Sequence, residues 1–249
     1  MVRRVTPIGV SRKVGRPTVD RAVRAASHSV RERVSTYRDQ ASGYSFVAAA
    51  PSAAPDLWNE YIARALGAYR RFGVESALEY ESVRSGESTA IFCAGLDRRG
   101  VVVGGVRAQG PYQNADESHA LTEWSAPKHV DHLRRMIESR IPFGLIEAKA
   151  AWVSEDVPKR RELTLAVARM GAKFMGLLDS RYMMATAADN LLDLWKTCGG
   201  VVDPSMPATP YPDARYRTRL MWWDRLRTDP FGDELRREVG GIRFDGEPM

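Results

Sequence analysis

Leu145-Ile-Glu-Ala-Lys-Ala-Ala-Trp-Val153 is followed, after a short polar turn, by Pro158-Lys-Arg-Arg-Glu-Leu163, and the fold follows from these two runs. The first run predicts a strand that starts just after Pro142-Phe143-Gly144 and is apolar except at Glu147 and Lys149. Alternation along a strand puts Glu147, Lys149 and Ala151 on one face. The second run opens the longest predicted helix, from near Pro158 to about Leu178: Leu163, Val167, Met170, Phe174 and Leu177 recur at helical spacing, and Asp156 with Pro158 suits a helix start.

Working outward, a strand is expected from Arg181 to Ala187. Next comes a helix from Asn190 to Thr197, capped by Asp189 and stopped at Gly199-Gly200. Val201-Val202 resumes an extended chain, and a strand from Tyr216 to Trp223 follows the Pro-rich loop Pro204 to Pro212. In that last strand Trp222 and Trp223 send one indole to each face. Upstream, Thr89 to Ala108 predicts a hairpin turning at Asp97-Arg-Arg-Gly100. Val130 to Ser139 reads as a short helix, Asp56 to Phe72 as a helix stopped by Gly73, and Tyr44 to Ala50 as a first strand. Residues 74–84 are ambiguous. From Thr18 to about Ser42-Gly43, Val19, Val23, Ala26, Val30, Val34 and Tyr37 form the narrow apolar stripe of a basic amphipathic helix, preceded by a mobile arm at residues 1–17. The order is mixed α/β without an internal repeat.

The chain has 249 residues, 44% hydrophobic and 27% charged, as expected of a globular protein able to bury a sizeable core. Its net charge of +6 is unevenly placed: residues 1–40 hold ten Lys and Arg against three Asp and Glu, leaving 27 against 28 for the rest. A nucleic-acid-binding body would spread cations over its working face, so this near-neutral body argues against one. The segment Gly15-Arg-Pro17 is one imperfect copy of a minor-groove hook, and nucleic acid is not expected as a partner. No run approaches the ~20 apolar residues of a membrane helix. Ala48 to Ala54 lacks the apolar stretch that would precede a signal cleavage site, so a cytoplasmic location is expected. Cys93 and Cys198 make neither a disulfide framework nor a zinc site.

A hairpin, a strand, a long helix, a strand, a short helix ending in Gly and a final strand follow the order of the GNAT acyltransferase fold. Four segments sharpen this: Gly104-Gly-Val-Arg107, Ile146-Glu-Ala-Lys149, the turn from Val153 to Arg161, and Leu194-Trp-Lys-Thr-Cys-Gly-Gly200. With them, Thr89 to Asp224 resembles the acyl-homoserine-lactone synthases and long-chain N-acyl amino acid synthases of that superfamily. The resemblance implies a GNAT-like α/β domain at residues 44–224, a mixed central sheet flanked by helices, between a helical N-terminal extension at 1–43 and a tail at 225–249. It also implies an N-acyltransferase moving a fatty acyl group from acyl-CoA, or from the phosphopantetheine arm of an acyl carrier protein, to the amine of a small molecule such as an amino acid. The alternative is a catalytically silent acyl-ligand-binding or DNA-associated module on the same fold.

Three groups of residues carry the site. Lys159, Arg160 and Arg161 stand at a helix start, where unpaired N–H groups and the helix dipole favour a phosphate; the bland reading is a solvated first turn. Glu147 is the candidate general base, because a part-buried carboxylate tends toward a raised pKa suited to proton transfer, and it matches the glutamate of the family's central strand. An edge pair with Lys149 is the alternative. Arg107, Trp152 and Trp195 are the candidate substrate contacts, Arg107 for a carboxylate or else in a surface ion pair.

The sequence also departs from the family. Val157 to Glu162 lacks the glycines of the usual phosphate loop, Ala150 stands where the lactone synthases have an arginine, and Trp195 replaces a tyrosine that protonates the leaving thiolate. Homoserine lactone is therefore not the expected product. His119, His129, His132 and Glu123 do not complete a metal site, and no metal is expected. Cys198 reads as packing rather than a nucleophile. The basic extension could steer an acidic acyl carrier protein to the thioester site.

Overall fold

The computed structural model describes residues 34–227, which build one eight-stranded sheet in the order β1-β2-β3-β4-β5-β6-β8-β7. The strands are β1 (Ser35–Arg38), β2 (Ser45–Ala49), β3 (Ile91–Leu96), β4 (Val102–Gln109), β5 (Leu145–Val153), β6 (Tyr182–Ala188), β7 (Val201–Val202) and β8 (Thr218–Asp224). All neighbours are antiparallel except β5 and β6. The helices are α1 (Pro55–Arg71), α2 (Tyr80–Val83), α3 (Ala120–Glu123), α4 (Pro127–Glu138), α5 (Arg160–Leu177) and α6 (Leu192–Lys196).

The hairpin, the central strand, the long helix and the elements after it stand where the sequence puts them, within two or three residues at each end. Asp97 fixes the hairpin turn by accepting from the N–H groups of Arg99 and Val101 at 2.8 and 2.9 Å. Trp222 and Trp223 do face opposite sides of β8, hydrogen-bonded to Asp203 and to the Cys198 carbonyl. The ambiguous 74–84 segment is a 3₁₀ turn (Glu75–Leu78) leading into α2.

One expectation is corrected. The helix predicted from Thr18 to Ser42 does not include its last turns: Ser35 to Arg38 form β1, paired antiparallel with β2. Tyr37 lies across from fully buried Phe46, rings 6.5 Å apart, with the Lys173 ammonium 4.4 Å from the Tyr37 ring centre. Ser-Thr-Tyr-Arg alternates as well as it spirals, and cross-strand packing decides between the two. The rest of that helix, the arm at 1–17 and the tail from 228 lie outside the described residues.

Helix α5 covers one face of the sheet, burying Leu163, Val167, Met170 and Phe174 against Val106, Ile146 and Met183. On the other face α1 lays Trp58, Tyr61, Ile62 and Ala65 over Phe92 and Trp152, and α4 lays Leu133 and Ile137 over Leu145, Met184 and Trp222. Each full apolar side chain so buried stabilises by roughly 1.5–3 kcal/mol. Among the described residues no helix is long and apolar enough to cross a membrane.

Two irregularities shape the centre of the sheet. Between Gly105↔Trp152 and Arg107↔Lys149, one residue of β4 faces two of β5, a bulge in which Ala150 takes a left-handed φ of 51°. Gly105 is required there: a Cβ would come within 2.3 Å of the Cys93 carbonyl and 2.8 Å of the Tyr61 ring. Farther along, β5 and β6 pair only over Leu145–Glu147 and Tyr182–Met184, although both strands continue. Beyond Glu147 they part, leaving one backbone edge of β5 without a strand partner.

Candidate active site

The parting of β5 and β6 coincides with a buried polar cluster on the face of the sheet carrying α1 and α4. Alternation puts Glu147 and Lys149 of β5 on that face. Their cross-strand neighbours are Gln109, opposite Glu147, and Arg107, opposite Lys149. Two cations lie side by side there, each nearly enclosed: Arg107 is 1% exposed and the Lys149 side chain 10%.

Glu147 is held from three directions. Tyr112 Oη donates to Oε2 at 2.6 Å, Ser118 Oγ donates to the same oxygen at 2.8 Å, and Lys149 Nζ lies 3.3 Å from Oε1. Burial pushes this carboxyl up, but Lys149 and the two hydroxyl donors outweigh it and hold Glu147 below the usual carboxylate range. The expectation of a raised pKa at Glu147 is thereby corrected. Oε1 has no hydrogen-bond partner among the described residues.

The raised carboxyl is Glu123, at the end of α3. Burial, with the negative charges of Glu147 and Glu79, pushes it up to about 8 against the pull of Lys149 and a hydrogen bond from Thr186. Thr186 Oγ1 donates to Oε1 at 2.9 Å, while Oε2 is buried without a partner among the described residues. At neutral pH one carboxyl of the pair is ionised and the other carries a proton. Such a split of acid and base character is a recurrent feature of sites that move protons.

His119, on the residue before α3, borders the same cluster. Its Nδ1 lies 2.8 Å from Glu79 Oε2 and its Nε2 2.8 Å from Tyr211 Oη. Burial, then Lys149, lowers its pKa, with Arg107 adding to the effect and Glu79 and Glu147 opposing it.

Arg107 is drawn into the cluster rather than into a surface ion pair. Its Nη1 donates to Thr89 Oγ1 at 3.1 Å, and Nε is buried without a partner among the described residues. Thr89 and Gln109 also line a cavity of about 830 Å³ at the ends of β2, β3 and β4, together with Trp58, Pro111 and Glu117. Trp152, beyond the bulge, is 8% exposed; its ring centre lies 6.3 Å from that of Tyr61, and its Nε1 has no partner among the described residues.

The structure does not bring every candidate together. Trp195 sits on the α5 face, edge-to-face with Trp223 at 6.0 Å, in the core rather than beside Glu147. Lys159, Arg160 and Arg161 follow the far end of β5, whose run from Glu147 to Val153 spans roughly 20 Å by the rise of the strand. Lys159 caps α5 in a left-handed conformation and donates to the Ala41 carbonyl at 3.2 Å, while Arg160 and Arg161 are exposed in the first turn. Cys198 is buried, its thiol pushed up to about 11 by burial and donating to the Trp195 carbonyl, which leaves it no nucleophilic character at neutral pH. His132 is paired with Ser205, and among the described residues no three His, Cys, Asp or Glu side chains converge to hold a metal.

Glu79, Tyr112, Ser118, Thr186 and Tyr211 were not legible as site residues. They reach the cluster from separate segments and share no local pattern. His119 and Glu123 did carry a signal, the i, i+4 spacing of one helical turn, which suggests a common target without saying what it is.

No family model matches the chain. It is 42% identical over 179 residues to the uncharacterized protein Rv1356c of Mycobacterium tuberculosis and to the uncharacterized protein Mb1391c of Mycobacterium bovis, covering 72% of this chain and 68% of theirs. Among solved structures it is similar to FeeM, an N-acyl amino acid synthase from uncultured soil microbes. The match has a TM-score of 0.50 and 11% identity, and covers 70% of this chain and 93% of that one.

Proposed function

The chain belongs to the family of the mycobacterial protein Rv1356c and has the GNAT acyltransferase fold, and from that footing we propose that it transfers an acyl group from a thioester to the amine of a small molecule. The observation that carries the proposal is the buried pair Glu147 and Glu123, opposite in protonation, beside the point where β5 and β6 part.

Amide formation needs an oriented neutral amine, an acceptor for its proton, and a donor for the departing sulfur. Glu147 Oε1 is an ionised acceptor that meets the Lys149 ammonium at 3.3 Å and keeps room for a further donor, and in this reading it receives an amine N–H and aims the lone pair at the thioester carbonyl. Glu123 holds a carboxyl proton at neutral pH and supplies it to the thiolate, the task for which Trp195 has no titratable group. The open edge of β5 offers backbone N–H and C=O groups to the amides of a phosphopantetheine arm, in the way an exposed strand edge takes an extended peptide. Trp152 Nε1 lies on the same stretch, and Arg160 and Arg161, with Lys159, stand at its end for the phosphates.

Arg107, buried beside Lys149 with its Nε unpartnered, supports an acceptor that brings a carboxylate, which favours an amino acid. A fatty acyl group carried by acyl-CoA or by an acyl carrier protein is the donor. The basic residues of the first 40 are suited to an acidic carrier and steer its approach.

Glu147→Gln keeps the size and one acceptor but removes the charge. It should lower acyl transfer by roughly 10²–10⁴-fold while the melting curve still reports a folded protein. Undiminished transfer in that variant would remove Glu147 from the chemistry.

A further inference from the structure

We propose that Glu79, His119 and Tyr211 form a relay that carries away the proton released by the attacking amine, with Tyr211 the member that meets the substrate. The relay rests on the acyl-transfer reading above and deepens it, since Glu147 orients the amine but is too stabilised as an anion to keep its proton.

The three residues come from separate parts of the chain. Glu79 follows the 3₁₀ turn before α2, His119 precedes α3, and Tyr211 belongs to the loop ahead of β8. The hydrogen bonds give the relay a direction. A carboxylate only accepts, so the Glu79 contact at 2.8 Å places the imidazole proton on Nδ1. Nε2 is then the acceptor, and Tyr211 Oη donates to it at 2.8 Å. With its proton committed to His119, the phenol oxygen turns its lone pairs elsewhere. Thr122 is not a competing donor, since its hydroxyl donates to the His119 carbonyl at 2.8 Å. Glu79 holds its place in a left-handed conformation, φ 52°, which is strained for a non-glycine residue and persists only where the surroundings fix it.

The charges around the imidazole suit an acceptor. Glu79 faces it from the 3₁₀ turn, Tyr211 from the loop before β8, Lys149 and Glu147 from β5, and Arg107 from β4. Burial and the two cations favour the neutral ring over the two carboxylates' pull. Tyr211 is kept protonated by burial and by the charges of Glu79 and Glu147, so it passes a proton on rather than storing a negative charge.

The step balances. As the amine nitrogen bonds to the thioester carbon, one N–H proton moves to Tyr211 Oη while the tyrosine's own proton moves to His119 Nε2. The imidazolium is paired through Nδ1–H with Glu79. The carbon–sulfur bond breaks and the thiolate takes the proton of Glu123. The extra proton on His119 then returns through Tyr211 to the Glu123 carboxylate, leaving an amide, a thiol and the starting protein.

Thiol release by the full-length protein from decanoyl-CoA and a panel of L-amino acids, followed against pH, tests the relay. The wild type should show kcat rising through an acid limb below about 6.5, where neutral His119 appears. His119→Gln and Tyr211→Phe should lose that limb and about 10²-fold or more in kcat, with the KM for decanoyl-CoA little changed. Glu79→Gln should move the limb to lower pH, because the imidazolium loses its partner. An acid limb that survives in His119→Gln, or an unchanged kcat in both variants, overturns the relay while leaving acyl transfer standing. A wild type that releases no thiol with any amine overturns the acyl-transfer reading and the catalytic relay with it. A separate readout does not depend on turnover: nitrogen NMR of the His119 ring should find the neutral-state proton on Nδ1, and finding it on Nε2 overturns the relay.

Discussion

Glu123 and Glu147 are both almost fully buried, yet one is driven up and the other down: Lys149 pulls on both, but Glu147 pairs with it at 3.3 Å and accepts from two hydroxyls, while Glu123 accepts from Thr186 and feels the negative charge of Glu147. Glu123 keeps its proton in the folded protein up to about pH 8, whereas the unfolded group loses it near 4.5. Over that window the folded state binds the extra proton, so stability falls as pH rises through it, by up to ~1.4 kcal/mol per unit. Glu123→Gln keeps an acceptor for Thr186 and removes that loss. In urea melts the variant should match the wild type near pH 4 and exceed it by roughly 3–5 kcal/mol at pH 9; an equal gap at both values would contradict the assignment. The sequence located Glu147 and Lys149 through strand alternation. It could not give the direction of the Glu147 shift, because that is set by Tyr112 and Ser118, 35 and 29 residues upstream. It read Glu123 and His119 only as members of an incomplete metal set, since Tyr211 and Glu79 meet them through tertiary folding alone.

At the scale of elements, the bulge between β4 and β5 and the parting of β5 from β6 set the site. The bulge changes which face of β5 looks toward α1: Glu147 and Lys149 do so before it, Trp152 after it. Unbroken alternation predicts Ala151 on the Glu147 face, but Ala151 packs with α5. The bulge depends on Gly105, where even one methyl meets backbone. Gly105→Ala should destabilise the protein by about 1–3 kcal/mol in denaturant melts and weaken acyl transfer together with it. A variant as stable as the wild type would show that the strands can shift to accept a Cβ. The hairpin, β5 and α5 were legible because each carries a long run of a single period. Strand β1 was not, because four residues fit a helix and a strand alike and only pairing with β2 decides.

For the whole molecule, the net charge of +6 becomes two separate facts: a basic extension, and a near-neutral body whose important charges are buried between the sheet and its helices. Two cations and the ionised Glu147 share that interior, with Glu123 neutral beside them. Taking each of these charges out of water costs several kcal/mol before their mutual attraction offsets it, so the cluster is an expensive arrangement to maintain for stability alone. Its position beside the parted strands suits the proposed use, the transfer of an acyl group to an amine. The most direct test is mass spectrometry of the full-length protein mixed with decanoyl-CoA and a panel of L-amino acids. The account predicts an N-decanoyl amino acid formed in step with free CoA thiol. Saturable binding of decanoyl-CoA without amide formation from any of the amines would contradict it.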